Sequence, residues 1–192
     1  TLLSANEEAV EHFHRGLALL QTLPDTPERN QQELQLQLAL AMSLTASQGY
    51  ATPDVQQALG RARTLAGQMA DAPQLGPVLF GLSRSYMVAG QHQPSRELAE
   101  QLLQLAESNQ DSGLLLSAHY AMGLTQFYHA EFQQALNHSN QVIALYEPAQ
   151  HPALALRLGQ DPKTTHLGYA SLDLWFLGYV DQARRHVEAA VS

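Results

Sequence analysis

A short motif recurs three times along this chain of 192 residues. It occupies residues 90–95, 130–135 and 178–183, and each copy has a small residue that closes one amphipathic stretch and another five places later, inside the next stretch. A looser copy runs from Gly49 to Ala58 around an insertion, and Ala9 lies where a further copy would begin. Self-similarity of this kind is typical of helical hairpins that stack on one another. The sequence therefore predicts a repeat protein that acts as an interaction scaffold.

Apolar residues recur at three- and four-residue steps nearly throughout, which predicts an all-α protein of about nine helices. We expect one repeat domain over residues 1–192, in which a first helix without a hairpin partner (residues 1–24) precedes four hairpins. The hairpins are expected in residues 27–71, 74–109, 112–146 and 161–192. Residues 147–160 lack the periodicity and are expected to form an irregular connection. The helical pattern reaches both ends of the sequence, which suggests a segment of a longer protein.

The second small residue of each motif copy is expected to lie where the two helices of a hairpin cross. A larger side chain at that point would hold the helices apart. Aligning the copies gives steps of about 49, 37, 40 and 48 residues between successive positions. These anchor positions are Ala9, Ala58, Ser95, Ala135 and Ala183.

Charge and composition exclude several function classes. The formal net charge is −8, with a single lysine, so the basic stripe that tracks phosphates in nucleic-acid-binding proteins is absent. The chain has no cysteine, which excludes disulfides and thiolate chemistry and is compatible with the cytoplasm. No apolar run approaches the roughly 20 residues needed to span a bilayer. We therefore expect a cytoplasmic protein that binds neither nucleic acid nor membranes.

The sequence offers no convincing catalytic or cofactor site. Nine histidines are present, but no two of them are three or four residues apart, the spacing that places two imidazoles on one helix face. Residues 159–165 faintly resemble a phosphate-binding loop, yet Pro162 stands where a glycine N–H would contact phosphate. A helix that begins at Asp161 and Pro162 is the simpler interpretation. We expect no enzymatic activity, no cofactor and no metal.

Several segments resemble the tetratricopeptide-repeat (TPR) family and, more narrowly, the repeat region of bacterial signalling ATPases, many of which carry a class III adenylate/guanylate cyclase domain. The segments are ALLQTLPDTPER (18–29), ELQLQLAL (33–40), GYATPDV (49–55), AEQLL (99–103), GQDP (159–162) and LGYVDQA (177–183). The resemblance implies a right-handed α-solenoid and a regulatory or scaffold module of a signal-transduction ATPase or cyclase. Two residues depart from the family pattern: Ser95 replaces an alanine, and Asp173 interrupts an apolar run.

In such solenoids the first helix of each hairpin lines a concave groove, the usual ligand surface. The repeat register predicts eight partner-binding residues in this groove: Phe80, Arg84, Met87, Tyr120, Leu124, Phe127, Leu172 and Trp175. We expect the partner to be a protein or peptide, with the upstream ATPase or cyclase domains of the same protein as one candidate. The alternative is a small-molecule sensor that uses the groove or residues 148–160. Open ends of the solenoid also predict self-association.

Overall fold

The computed structural model describes residues 2–69, 73–147 and 160–190, all of them helical or in turns between helices. The helices of these ranges are α1 (Leu2–Leu20), α2 (Pro27–Gln48), α3 (Pro53–Gly67), α4 (Leu75–Val88), α5 (His92–Asn109), α6 (Ser112–Tyr128), α7 (Phe132–Leu145), α8 (Pro162–Phe176) and α9 (Val180–Ala190). None of these described helices is long and apolar enough to cross a membrane. The predicted irregular connection lies almost entirely outside the described residues.

The first small residue of each motif copy ends a helix. Gly90, Ala130 and Gly178 have φ angles of 74°, 60° and 87°, in the left-handed region. In each case the N–H of the next residue donates to the carbonyl five residues earlier, at 2.8–2.9 Å. This is the Schellman cap, which satisfies carbonyls that the last helical turn would leave unpaired. The motif therefore recurs because each hairpin needs the same tight turn.

The starts of three helices also follow from side chains at their caps. The Thr26 hydroxyl, the Asp111 carboxylate and the Asp161 carboxylate each accept a hydrogen bond from a backbone N–H one turn into α2, α6 and α8. Proline fills the first position of α2 and of α8, where its missing N–H costs nothing. The predicted cap at Asp161 is confirmed.

The chain divides into two compact units, and the first comprises Thr1–Gln91. Within it, α1 packs on α2, α2 on α3 and α3 on α4. Leu34 and Val55 are fully buried between these helices. Glu33 is buried and accepts two hydrogen bonds from Arg61, at 2.6 and 3.0 Å, which join α2 to α3. The Arg61 hydrogen bonds lower the pKa of Glu33, so the ionised pair belongs to the native state.

The second unit comprises His92–Ser192, and its central element is α6. This helix contacts α5, α7 and α8, and ten of the eleven residues from Leu116 to Gln126 are buried. Further pairs are α7 with α8 and α8 with α9. Four of the five predicted anchor residues, in both units, are buried: Ala58, Ser95, Ala135 and Ala183.

The predicted hairpins correspond in part to packed neighbours. The helices α2 and α3, α6 and α7, and α8 and α9 pack together within residues 27–71, 112–146 and 161–192. The first helix, expected to lack a hairpin partner, packs on α2, where an added β-carbon at Gly16 would lie 3.2 Å from Leu36 Cδ1. The predicted hairpin 74–109 spans the division between the units. That hairpin and the single domain stay predictions.

Candidate partner-binding surface

Aromatic side chains from three helices meet in the second unit. The ring centroids of Phe132 and Phe176 are 4.5 Å apart and nearly parallel, and Phe127 lies 5.1 Å from Tyr169 in an edge-to-face arrangement. Tyr128 lies 5.4 Å from Phe127. Such pairs contribute roughly 0.5–1.5 kcal/mol each beyond the area that they bury. We call Phe127, Tyr128, Phe132, Tyr169 and Phe176 the aromatic cluster.

The turn that joins α8 to α9 adds an exposed apolar face next to this cluster. Leu172, Trp175 and Phe176 lie at three- and four-residue steps and therefore share one side of α8. Tyr179 follows just after the helix and is also exposed. Trp175 is 60% exposed and Phe176 57% exposed, whereas large aromatic side chains are mostly buried in monomeric proteins. We call these four residues the exposed stripe, and the stripe with the aromatic cluster is the aromatic surface.

A buried carboxyl group lies on α8 beside this surface. Asp173 is fully buried, and neither of its carboxylate oxygens accepts a hydrogen bond. Burial raises its pKa to about 7, because the charged form loses its hydration without gaining a partner. Helical geometry places Asp173 between the aromatic residues Tyr169 and Phe176 on one side and Ala170 and Leu174 of the apolar core on the other.

A polar network of histidines connects α6, α7 and α8 within the core. The Nδ1 atoms of His119 and His138 are 2.8 Å apart, and the Ser139 hydroxyl lies 3.0 Å from Nδ1 of His166. A β-carbon at Gly123 would lie 2.9 Å from Cε1 of His166, so this glycine makes room for the ring. Burial lowers the pKa of His138 to about 4 and of His166 to about 3. These imidazoles are therefore neutral in the folded protein at pH 7.

Sequence spacing did not reveal this histidine pair, because its members lie on different helices. Two imidazoles whose Nδ1 atoms face each other form a hydrogen bond when one ring is protonated there and the other is not. Among the described residues, no group of three or more histidine, cysteine or acidic side chains is arranged to hold a metal ion. The network joins α6, α7 and α8 through side-chain contacts.

Two of the predicted groove residues are in the core instead. Tyr120 is fully buried, with its hydroxyl 2.6 Å from Nε2 of Gln160 and its ring 4.6 Å from that of His166. Leu124 is also buried. Their expected exposure in a groove is not found, because α5, α7 and α8 pack on α6 and bury its central residues; a role for either residue in partner binding stays a prediction. Phe127 is half-buried within the aromatic cluster.

The other predicted groove residues fall into two groups. Leu172 and Trp175 lie together on the exposed stripe. Phe80, Arg84 and Met87 lie on α4 in the first unit and are half-buried. The Arg84 guanidinium lies 4.2 Å from the centre of the Tyr50 ring, a cation–π contact within that unit. A groove shared by all eight residues stays a prediction.

The first unit also contains a cleft of about 630 Å³ between the start of α2 and the end of α3. Its lining is largely polar and includes Thr26, Glu28, Gln68 and Gln74. Small-molecule pockets are usually lined by apolar and aromatic side chains with a few polar groups. The small-molecule alternative gains little support from this cleft and stays a prediction.

Sequence reasoning missed most of the aromatic surface. Tyr128 and Phe132 flank Ala130, and Phe176 and Tyr179 flank Gly178, so the aromatic residues accompany the capping residue in two copies of the motif. Stacked turns bring these positions close together. Aromatic residues on either side of a repeated turn could therefore have indicated this surface. The repeat register instead predicted binding residues near the centres of the helices.

Comparisons with known proteins bear on the fold. No family model and no curated protein matches the sequence. A kinesin light chain-like protein of Podosopora anserina with nearly identical TPR-like repeats has a similar structure, with a TM-score of 0.72 and 19% identity over 96% of this chain and 84% of that one. PlcR of Bacillus thuringiensis, solved with the peptide PapR7 and DNA, gives a TM-score of 0.66 and 14% identity over 98% of this chain and 64% of PlcR. BtubC of P. vanneervenii gives 0.52 and 13% identity over 98% and 87%.

The structural similarity establishes a shared fold, and at identities below 20% it establishes nothing beyond the fold. The helices, the repeated Schellman turns and the buried anchor residues agree with that likeness. The predicted fold class, an all-α helical solenoid of TPR-like hairpins, is confirmed, and the chain has the fold of a TPR-like repeat protein.

Proposed function

We propose that this chain is a non-catalytic interaction module that binds a peptide or helix of a partner protein through the aromatic surface of its second unit. The exposure of Trp175 and Phe176 carries the proposal. Aromatic side chains dominate the energetics of protein interfaces because they bury a large area at a small cost in side-chain entropy. A neighbouring segment that covers the exposed stripe would recover about 25 cal/mol for each Å² of apolar area buried.

The proposed context is regulation of a bacterial, cytoplasmic signal-transduction ATPase or cyclase, with the domains of the same protein among the candidate partners. The sequence resemblance to the repeat regions of such ATPases supports this context. The solved PlcR structure contains a peptide, which supports peptide binding by a fold of this type. It also contains DNA, but the net charge of −8 argues against nucleic acid as a partner of the present chain.

A random 12-residue peptide library displayed on phage tests the proposal directly. We expect the folded chain to enrich peptides that it binds through the aromatic surface. Trp175→Ala should weaken their binding by about tenfold or more, the loss that marks an interface hot spot. Leu19→Ala is the matched control, because Leu19 is a 69% exposed apolar residue of α1. It should leave the affinity unchanged.

Urea unfolding of both variants separates binding from folding, since an exposed side chain contributes little to stability. Failure to enrich any peptide, or enriched peptides that bind Trp175→Ala as tightly as the wild type, would remove the support for this surface.

The competing occupant of this surface is a second copy of the chain. Light scattering over a concentration series would then show oligomers that Trp175→Ala dissociates.

A further inference from the structure

The unpartnered carboxyl group of Asp173 gives the proposed interaction a chemical preference. Both of its oxygens lack hydrogen bonds, and the side chain is fully buried. A buried carboxylate without a partner destabilises the fold that contains it. No described residue supplies the cation or the donors that this group needs. A donor or a cation from outside the described residues would remove this cost.

Asp173 is a charged residue whose neighbours on one side of α8 are apolar. Ala170 and Leu174, its neighbours along α8, belong to a buried apolar cluster with Leu136 and Ala183. A leucine or methionine would suit such a position, and the packing of α8 makes no use of the charge. The side chain therefore serves no hydrogen bond, cap or ion pair within the described fold.

The aromatic residues beside Asp173 are suited to a cation. Tyr169 precedes it by one helical turn and Phe176 follows it by one, so both rings lie on the same side of α8. The faces of aromatic rings attract cations, and guanidinium groups stack on them. Phe176 is 57% exposed, and its ring stacks on that of Phe132. Phe176 lies one turn from Asp173 on the side of the exposed stripe, so a partner that reaches the carboxylate from this side has to move the Phe176 ring.

Building on the proposed function, we propose that the aromatic surface binds a partner segment by one arginine side chain, whose guanidinium displaces the Phe176 ring and pairs with Asp173. Apolar residues on either side of this arginine cover Trp175 and Leu172. Arginine suits the site better than lysine, because its planar fork donates two parallel hydrogen bonds to a carboxylate while its face stacks on a ring. The net charge of −8 favours the approach of a basic segment.

The peptide selection described above, followed by synthetic pairs, tests this preference. Each enriched peptide is made with its central arginine and with citrulline, which has nearly the same shape but no charge. The wild-type chain should bind the arginine peptide at least about tenfold more tightly than the citrulline peptide. On Asp173→Asn and on Asp173→Leu the two peptides should bind with similar affinity. Loss of the arginine preference in these variants would show that the peptide guanidinium and the Asp173 carboxylate interact, and would not be explained by unfolding.

Asp181→Asn is the matched control, because Asp181 is an exposed carboxylate in the first turn of α9. It should keep the preference for arginine. Enriched peptides that lack a basic residue, or that bind equally well as citrulline, would overturn the role of Asp173 while their dependence on Trp175 still supports the proposed function. An arginine preference that survives Asp173→Asn would overturn it as well, whatever Asp181→Asn does. Absence of any Trp175-dependent peptide would overturn both proposals.

Discussion

At the scale of single residues, Ala130 stands in a position that other copies of the motif give to glycine. Its φ of 60° is left-handed, as are those of Gly90 and Gly178. A β-carbon in this conformation lies too close to the following carbonyl oxygen, which costs about 1–2 kcal/mol. The second unit therefore contains backbone strain at the turn between α6 and α7, directly beside the aromatic cluster.

Ala130→Gly should raise the free energy of unfolding by about 1 kcal/mol, because glycine relieves this strain while adding some freedom to the unfolded chain. Urea denaturation measures the change. Gly178→Ala is the matched reverse substitution, since its φ is 87° and an added β-carbon would meet no atom within 4 Å. It should lower stability by a similar amount. A destabilising Ala130→Gly would show that the turn has a different backbone conformation.

At the scale of elements, the histidines that join α6, α7 and α8 make this packing sensitive to acid. The folded pKa values of about 4 for His138 and about 3 for His166 lie below the ordinary value of 6.5. Below pH 6.5 the unfolded chain therefore binds protons that the folded chain does not bind. The free energy of unfolding decreases as the pH is lowered. Asp173 acts in the opposite direction, because its raised pKa of about 7 stabilises the folded state as pH falls from 7 towards 4.

The two effects are separated in the Asp173→Asn variant. Without the carboxyl group, the free energy of unfolding should fall by about 1 kcal/mol for each of the two histidines between pH 6.5 and 5.5. The wild-type chain should show a flatter profile over the same range. Urea denaturation at several pH values measures both curves. Equal slopes for the variant and the wild type would mean that Asp173 does not titrate as its burial implies.

Helix limits were largely predictable, whereas the faces of the helices were not. Thr26, Asp111 and Asp161 mark helix starts through local hydrogen bonds, and Gly90 and Gly178 mark ends through backbone conformation. Both signals lie within a few residues along the chain. The burial of Tyr120 depends instead on α5, α7 and α8 surrounding α6, an arrangement that involves residues far apart in sequence.

The candidate site was predictable only in part for the same reason. Leu172 and Trp175 were predicted on a partner surface and are exposed, while the aromatic residues beside the turns were overlooked. Asp173 stood out in the sequence as a charge in an apolar run. Its lack of a partner was visible only once the helices around it were in place.

At the scale of the whole molecule, two compact units of TPR-like helices carry different surfaces. The first unit has ion pairs between α2 and α3 and a polar cleft. The second has a covered core, an aromatic surface and a carboxyl group without a partner. We therefore assign the proposed partner binding to the second unit, where a bound segment would cover the exposed stripe.

Trp175 is the single tryptophan of the chain, so its fluorescence reports on this surface alone. In the free protein we expect the emission of a water-exposed indole and efficient quenching by acrylamide, since the side chain is 60% exposed. Addition of an enriched peptide without tryptophan should shift the emission to shorter wavelength and protect the indole from acrylamide, with the same affinity as direct binding measurements give. A peptide that binds the chain and leaves both the emission and the quenching of Trp175 unchanged would contradict the account.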